Sequence, residues 1–145
     1  MPFADQVAKF SLNTKAGMDD IERGIIFKMA SSLIDMSPVG DPDLWKGKPP
    51  PGYVGGRFRG NWQIGIGEPA TGTIDAVDAS GGATKNKLAA AVEKITAGGV
   101  TYITNNLPYA IPLEYGHSTQ APSGMVRITI ARFKAIAKQV IDANK

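Results

Sequence analysis

Cysteine is missing from this 145-residue chain, and histidine occurs only once. The absence of cysteine excludes a disulfide framework, a thiolate zinc site and a cysteine nucleophile. The single histidine, His117, cannot by itself build a metal site of several histidines. We therefore expect neither a metal ion nor a cofactor.

The chain also has few long apolar runs and little excess charge. No stretch approaches the roughly 20 apolar residues that span a bilayer, and the N-terminus lacks the regions of a signal peptide. We expect a soluble, unexported chain without membrane contact. The net charge is only +3, whereas dedicated nucleic-acid-binding proteins usually concentrate more positive charge. The length fits one domain over residues 1–145, and 43% hydrophobic residues suffice for a core.

Residues capable of catalysis are sparse and unfavourably spaced. Ser118 directly follows His117, but adjacent residues seldom face each other as a nucleophile and its base, and no nucleophile-elbow motif surrounds Ser118. Asp41-Pro42-Asp43 lacks the downstream ligands of a calcium loop. Gly81 to Lys85 lacks the glycine spacing of a phosphate-binding loop. We predict no catalytic residues, no metal site and no enzymatic activity.

Hydrophobic spacing predicts an α+β fold. The pattern gives a helix over 18–36, a strand over 61–67, a weaker strand over 72–78, a helix capped by Thr84, a strand over 100–104, a short helix opened by Pro108 and a last helix over 123–143. The last helix is expected to bury Val126, Ile130, Phe133, Ala137, Val140 and Ile141. We expect a small antiparallel sheet with two or three long helices packed on one face.

Two further segments complete this prediction. Residues 1–17 form an N-terminal arm, in which Phe3, Val7 and Phe10 fit one helical face, while Phe10 and Leu12 fit a strand equally well. Residues 38–60 form a long loop, because their many prolines and glycines oppose regular structure. Long loops in compact domains are usually functional or disordered, and this one is too aromatic to be typical of disorder.

The loop combines basic and aromatic side chains, and three interpretations are open. It contacts DNA phosphate or an acidic neighbour, it packs back onto the domain, or its aromatics anchor an intersubunit contact while its arginines pair with carboxylates. The candidate intersubunit residues are Leu44, Trp45, Lys46, Lys48, Tyr53, Arg57, Phe58 and Arg59.

Two stretches carry a recognisable pattern. The first runs from Ser37 to Pro42 and resumes from Gly55 to Trp62, and the second runs from Tyr102 to Val126. Together they resemble the small neck and tail-completion proteins of long-tailed bacteriophages, over roughly residues 18–143. The matching residues are Pro38, Val39, Gly56, Arg57, Asn61, Trp62, Tyr109, Ala110, Glu114, Tyr115, Gly116, Ala121 and Pro122. The chain departs from the family pattern by the Trp- and Pro-rich insertion Leu44–Tyr53, which leaves the subgroup open.

The resemblance implies a virion structural protein at the head–tail junction. Such a subunit forms a homo-oligomeric ring, of six or twelve copies, around the DNA channel. Its implied partners are the portal or connector on the head side and the tail terminator or tail tube on the other, with non-specific contact to genomic DNA. Its implied location is the virion neck, and the host cytoplasm during assembly. Glu114 and Tyr115 are expected to fix the short helix or to meet an arginine, with Arg57 as the suggested partner. The alternative is a nucleic-acid-binding module that uses residues 45–59.

Overall fold

The computed structural model describes residues 3–40, 55–116 and 118–144, with the backbone alone at 8–16. The elements in chain order are α1 (Phe3–Met36), a 3-10 turn (Arg59–Asn61), β1 (Gln63–Ile66), α2 (Gly82–Val92), β2 (Thr101–Thr104), α3 (Ala110–Glu114), α4 (Val126–Ala131) and α5 (Phe133–Ala143). The two strands pair antiparallel, with Gln63 opposite Thr104 and Ile66 opposite Thr101. The fold is α+β with a small antiparallel sheet, which confirms the predicted class. Within the described ranges, no helix is both long and apolar enough to cross a membrane.

The longest element is α1, which has 34 residues and is therefore about 51 Å long at 1.5 Å per residue. The predicted N-terminal arm is the first part of this helix, so the helical alternative is the correct one. The side chains of residues 3–7 are all exposed. Farther along, Ala30, Leu33 and Ile34 are buried, so the second half of α1 contributes to the core.

The core forms where α1 meets the other helices and the sheet. Its buried members are Ala30, Leu33, Ile34, Phe58, Trp62, Leu88, Leu107, Ala121 and Met125, with Ile64 and Ile103 packed at its edge. α1 packs against α2, α4 and α5. Gly24 permits the approach of α5, because a Cβ at this position would lie 2.8 Å from Val140 Cγ1.

The weaker strand predicted over 72–78 does not form. The backbone of this stretch is bound by side chains and by a loop rather than by a strand. The Ile74 N–H donates to Asn61 Oδ1 at 2.7 Å, and the Asp78 N–H donates to the Gly56 carbonyl at 3.1 Å. Gln63 donates from Nε2 to the Gly72 carbonyl at 3.1 Å. Because these backbone groups of residues 72–78 already have hydrogen-bond partners, the stretch does not pair with β1 or β2 despite its alternating pattern.

Thr84 is not the N-cap of α2, because the helix already begins at Gly82. The capping group is Asp78, which lies before the helix. Its Oδ2 accepts from the Thr84 N–H and from Thr84 Oγ1, each at 2.7 Å, and its Oδ1 accepts from the Gly81 N–H at 3.1 Å. Partial burial raises the pKa of Asp78, but these hydrogen bonds and one from Ser80 outweigh it and leave the pKa below its usual value.

The predicted last helix is two helices, α4 and α5, which meet at Arg132. The predicted buried face is also largely wrong. Val140 is buried as expected, but Thr129 and Ile136 take the other buried positions. The exposed members of the predicted face are Val126, Ile130, Phe133 and Ile141. Contacts with α1 select the buried face, since Thr129 Oγ1 lies 3.0 Å from Ser32 Oγ and Val140 packs on Gly24.

Two glycines should respond oppositely to alanine. At Gly17 of α1 a Cβ would meet no atom within 4 Å. Gly17→Ala should therefore raise the free energy of unfolding by about 0.5–1 kcal/mol, because alanine lowers the conformational entropy of the unfolded chain. Gly56 has φ +115 and its Cβ would lie 2.5 Å from the Ala79 nitrogen, so Gly56→Ala should destabilise by about 2 kcal/mol or more. Urea unfolding followed by circular dichroism measures both, and shifts of the same sign would contradict this assignment.

Candidate functional site: the junction of the two motif segments

The two stretches that resemble the phage family meet in space. The backbone of Val39, in the first stretch, pairs with the side chain of Gln120, in the second. The Val39 N–H donates to Gln120 Oε1 at 2.9 Å, and Gln120 Nε2 donates to the Val39 carbonyl at 2.8 Å. Asn105 makes a second link by donating from Nδ2 to the Phe58 carbonyl at 2.9 Å. We call this region the motif junction.

The interior of the motif junction is aromatic. The Phe58 ring lies edge-on to Trp62, with centroids 5.8 Å apart, and is tilted against Tyr109 at 6.0 Å. Trp62 Nε1 donates to Ser37 Oγ at 2.7 Å, and Ser37 Oγ donates to the Leu33 carbonyl at 2.6 Å. Each buried polar atom in this chain of bonds has a partner, so the aromatic cluster is fixed to the end of α1 without a desolvation penalty.

Arg59 joins the same helix end to the loop before α2. Its Nη2 donates to the Ser37 carbonyl at 2.7 Å and to the Asp35 carbonyl at 3.2 Å. Its Nη1 donates to the Ala79 carbonyl at 2.7 Å. Carbonyls at a helix C-terminus lack helical partners and carry partial negative charge. Arg59 therefore supplies the cation that the last turn of α1, which has no basic residue, does not provide.

Asn61 organises the turn between these groups and β1. It is fully buried, and its Nδ2 donates to the Arg57 carbonyl at 2.6 Å. Its Oδ1 accepts from Ile74, so one amide bonds backbone groups on both sides. This position requires a buried side chain with both a donor and an acceptor, and the Asn61 amide provides both.

Glu114 caps α4 although it precedes that helix by more than ten residues in the sequence. Its Oε2 accepts from the N–H groups of Met125 and Val126, each at 2.8 Å. Its Oε1 accepts from the Arg127 N–H at 3.0 Å and from Arg127 Nε at 3.1 Å. Burial raises the pKa of Glu114, but the backbone bonds from Met125, Arg127 and Val126 and the Arg127 side chain together hold it below its usual value.

The same arginine completes the contacts around the motif Glu-Tyr-Gly. Arg127 places its guanidinium carbon 4.9 Å from the centre of the Tyr115 ring, which is a cation–π distance. Its Nη2 also donates to the Glu114 carbonyl. Gly116, with φ +85, ends α3 and passes close to the Pro122 carbonyl. Gly124 also has a positive φ, and a Cβ there would collide with the Glu114 carbonyl oxygen.

These contacts correct one prediction and narrow another. The partner of Glu114 and Tyr115 is Arg127, not Arg57. Phe58 is buried and Arg59 is engaged with carbonyls of its own chain, so neither offers its main contacts to a neighbour. Arg57 is exposed and stays a candidate for contact with another subunit. The other candidates, Leu44, Trp45, Lys46, Lys48 and Tyr53, lie outside the described residues.

The remaining residues of the family pattern differ in their burial. Pro38 and Ala121 are buried, while Pro122 is exposed beside the Gly116 turn. Ala110 is half-buried at the start of α3 and lines the cleft described below. The junction thus uses these positions to hold two chain segments together.

The outer surface of the junction is apolar. Ile111 and Tyr115 of α3 are each 72% exposed, and Ile130 of α4 is 61% exposed. Tyr109 and Val126 are exposed to a smaller extent. A cleft of about 360 Å³ opens here, with Phe58, Trp62 and Ile103 among its lining residues. We call Tyr109, Ile111, Tyr115, Val126 and Ile130 the α3 patch. Exposed apolar side chains in this number are a feature of interaction sites.

Several polar side chains of the described residues bond to backbone groups of this chain. Among them, no group of three or more acidic or histidine side chains could hold a metal ion. Asp19 accepts from the Ala97 N–H at 2.7 Å, and Asp78 caps α2. Ser118 Oγ accepts from the Gln120 N–H at 3.2 Å. His117 and the Asp41–Asp43 pair lie outside the described residues.

Sequence reasoning missed four residues that build the junction: Ser37 as a hydrogen-bonding group, Gln120, Asp78 as a cap, and Arg127. Ser37 and Gln120 had a weak sequence signal, because they lie within the two stretches that resemble the phage family. Asp78 and Arg127 had none, because their partners depend on the course of the chain. A cap normally precedes its helix directly, whereas Glu114 comes from the helix before.

Replacement of Glu114 by Gln should make stability less dependent on pH. The folded-state pKa of Glu114 is lowered, so its contribution is present above the ordinary glutamate pKa of about 4.5 and is lost as pH falls through the folded-state value. We expect Glu114→Gln to cost about 1–2 kcal/mol at neutral pH, and the difference from wild type to shrink on acidification. Urea unfolding across acidic pH measures this. Glu68→Gln, at an exposed position, is the control, and a cost for Glu114→Gln that does not change with pH would refute the assignment.

Comparison with protein-family models, with curated proteins and with solved structures gives no match. The resemblance to phage neck and tail-completion proteins therefore rests on the motif residues. The geometry of these residues, rather than a relative, must support any assignment of function.

Proposed function

We propose that this protein is a structural subunit of the head–tail junction of a long-tailed bacteriophage, where copies of it form a ring that joins the portal or connector to the tail around the DNA channel. The observation that carries the proposal is the motif junction. The two stretches that resemble the family are far apart in the chain, and they meet to fix one rigid frame beneath the α3 patch.

The use of polar groups supports a structural role. Arg59, Asn61, Asp78 and Glu114 each bind backbone groups of this chain, which fixes loops and helix ends. A catalytic site instead shifts the pKa values of such groups toward the operating pH. The pKa values of Asp78 and Glu114 are shifted downward, toward permanently charged caps.

The exposed α3 patch supports a role in binding a neighbouring protein subunit. Large side chains such as Tyr115 and Ile111 are strongly exposed. Aromatic residues are enriched in the buried centres of protein interfaces. In a ring with a head-to-tail interface, one such patch meets a different surface on the next subunit.

We expect Ile111→Asp to abolish incorporation of the subunit into particles while the subunit still folds. A charge in the centre of an apolar interface remains desolvated and unpaired, which costs several kcal/mol. The measurement is complementation of a phage that lacks this gene, with immunogold electron microscopy of the particle neck. Val77→Asp is the matched control, because Val77 is also exposed and does not line the cleft. Gold label away from the neck, or normal particles with Ile111→Asp, would refute the proposal.

The alternative role, a nucleic-acid-binding module, depends on the basic residues of the loop. One of its four cations, Arg59, is already bound to three carbonyls of its own chain. We expect only weak affinity of the isolated chain for duplex DNA, with a shallow dependence on salt. Fluorescence anisotropy over a salt series measures it, with Arg57→Ala as the probe of the exposed cation. Tight binding with a steep salt slope that Arg57→Ala reduces would favour the alternative.

A further inference from the structure

The sheet leaves the outer edge of β2 without a neighbouring strand in the described part of the chain. The Gly67 N–H donates to the Val100 carbonyl at 2.8 Å, directly beyond the last registered pair, Ile66 and Thr101. Hydrogen-bonded and non-hydrogen-bonded pairs alternate along antiparallel strands, so that last pair is non-hydrogen-bonded. The N–H and C=O groups of Thr101, and of Ile103 two residues on, therefore point away from β1. Among the described residues, none bonds to these four groups.

A groove follows this free edge. Its central cavity, of about 260 Å³, is lined by Thr101 and Ile103 of β2, by Val126 and Ile130 of α4 and by residues of α1. A cavity of about 460 Å³ continues it through the shared Thr101, and the cleft of about 360 Å³ continues it through the shared Ile103 and Val126. None of the three is lined by a residue of β1, all of which is described. We call these three cavities together the β2 groove.

The β2 groove carries charge only at its two ends. Glu22 lines the end beside Thr101, and no cation among the described side chains lies within ion-pair distance of it. At the other end Glu114 and Arg127 pair with each other at 3.1 Å. One negative charge thus lacks a counter-charge. The groove complements a partner that is apolar along its length and positive at one end, and it repels the phosphates of a nucleic acid.

The free backbone groups specify the chemistry of the occupant. The N–H and C=O groups of a strand edge carry alternating partial charges, and the complement of this pattern is another extended backbone. A helix cannot supply it, because its own backbone groups are already bonded within the helix. Residues opposite each other in an antiparallel pair share one face. Since Thr101 and Ile103 line the groove, the residues bonded to them face it too and should be apolar.

We propose that the β2 groove binds an extended segment of another protein as a third strand, antiparallel to β2. The segment has apolar residues at every second position and a lysine or arginine near its C-terminal end, which this direction places beside Glu22. Antiparallel pairing is the more stable arrangement. The inference rests on the proposed function in that the groove shares Val126 and Ile130 with the α3 patch, and it adds the kind of segment that a neighbouring protein supplies.

A synthetic peptide tests the proposal on the full-length protein. The probe has about six residues, a typical strand length, alternates valine with threonine, ends in lysine with an amidated C-terminus, and carries fluorescein at its N-terminus. We expect saturable binding by fluorescence anisotropy. N-methylation of the valines, whose N–H groups face β2, should weaken binding at least tenfold because it removes these donors. N-methylation of the threonines, whose N–H groups face away, should change it by less than about twofold. No saturable binding, or equal losses with the two methylated peptides, would refute the proposal.

The position of the lysine tests the direction of the strand. A peptide with its lysine at the N-terminal end should bind about twofold to fivefold more weakly, because the cation then lies far from Glu22. Glu22→Gln should remove this difference. Equal affinities of the two peptides for the natural chain, or a difference that survives Glu22→Gln, would overturn the antiparallel direction.

Amide hydrogen exchange reads the edge of the natural chain without any substitution. In the free protein the amides of Thr101 and Ile103 should exchange faster than that of Tyr102, which bonds to β1. Saturating peptide should slow exchange at Thr101 and Ile103 at least tenfold. The outer edge of β1, at Ile64 and Ile66, is the internal control and should not change. Protection at Ile64 and Ile66 instead, or no added protection at Thr101 and Ile103, would contradict the site.

Two proline variants form a matched pair. Thr101 and Ile66 lie opposite each other in the sheet, and proline at either position removes one outward N–H while it spares the bonds between the strands. Thr101→Pro should weaken peptide binding about tenfold, whereas Ile66→Pro should retain it. Circular dichroism checks the fold of both, and equal effects of the two would refute the assignment to β2. If Thr101→Pro does not fold, the exchange experiment decides.

The alternative occupant of the edge is a second copy of this chain. The natural chain would then self-associate in sedimentation velocity, and Thr101→Pro would restore the monomer, which would overturn the assignment to a different protein. Peptide binding is measured on the isolated chain, whereas neck labelling of particles reads the proposed function. Peptide binding with label away from the neck would refute the proposed function alone, and the reverse result would refute this inference alone.

Discussion

The end of α1 is the constraint on which the rest of the structure depends. Its last carbonyls have no helical partners and no basic residue in the last turn to stabilise them. Arg59 donates to two of them, and Ser37 connects the same turn to the indole of Trp62. These bonds place the first motif stretch against the helix, and the core forms around Phe58 and Trp62. Loss of these donors would remove the bonds that hold the loop to the end of the helix, and the part-buried Ser37 carbonyl would lose its Arg59 partner.

The N-terminal ends of two other helices are also bound by charged side chains. Asp78 binds the N-terminal amides of α2, and Glu114 binds those of α4. In each case a charged side chain from another part of the chain meets the partial charge of a helix end. The consequence for function is that the charged groups with the best-defined geometry serve the architecture. The exposed apolar side chains of the α3 patch are the ones on which the proposed function depends.

The sequence predicted the elements better than their contacts. The strands around Ile64 and Ile103 and the short helix before Gly116 are confirmed, because each has a strong local pattern or a strong stop. The helix predicted over 18–36 ends where expected but begins at Phe3, so its predicted start is wrong. The prediction failed over 72–78, where the side-chain amides of Asn61 and Gln63 bond to the backbone in place of a neighbouring strand. It also failed in the last helix, where the contacts of α1 at Gly24 and Ser32 select the buried face. Within the candidate site, Glu114, Asn61 and Trp62 were identified from the motif, but the pairing of Glu114 with Arg127 was not.

What the sequence by itself determined was the α+β class, the positions of the two strands and the end of α1 before Pro38, because these follow from local patterns of residues. Only the tertiary structure decided which charges cap which helices, that Phe58 and Arg59 face inward, and that the two motif stretches meet at Val39 and Gln120. These features depend on distances between residues remote in sequence. Such distances are fixed only when the whole core packs, and no local pattern encodes them.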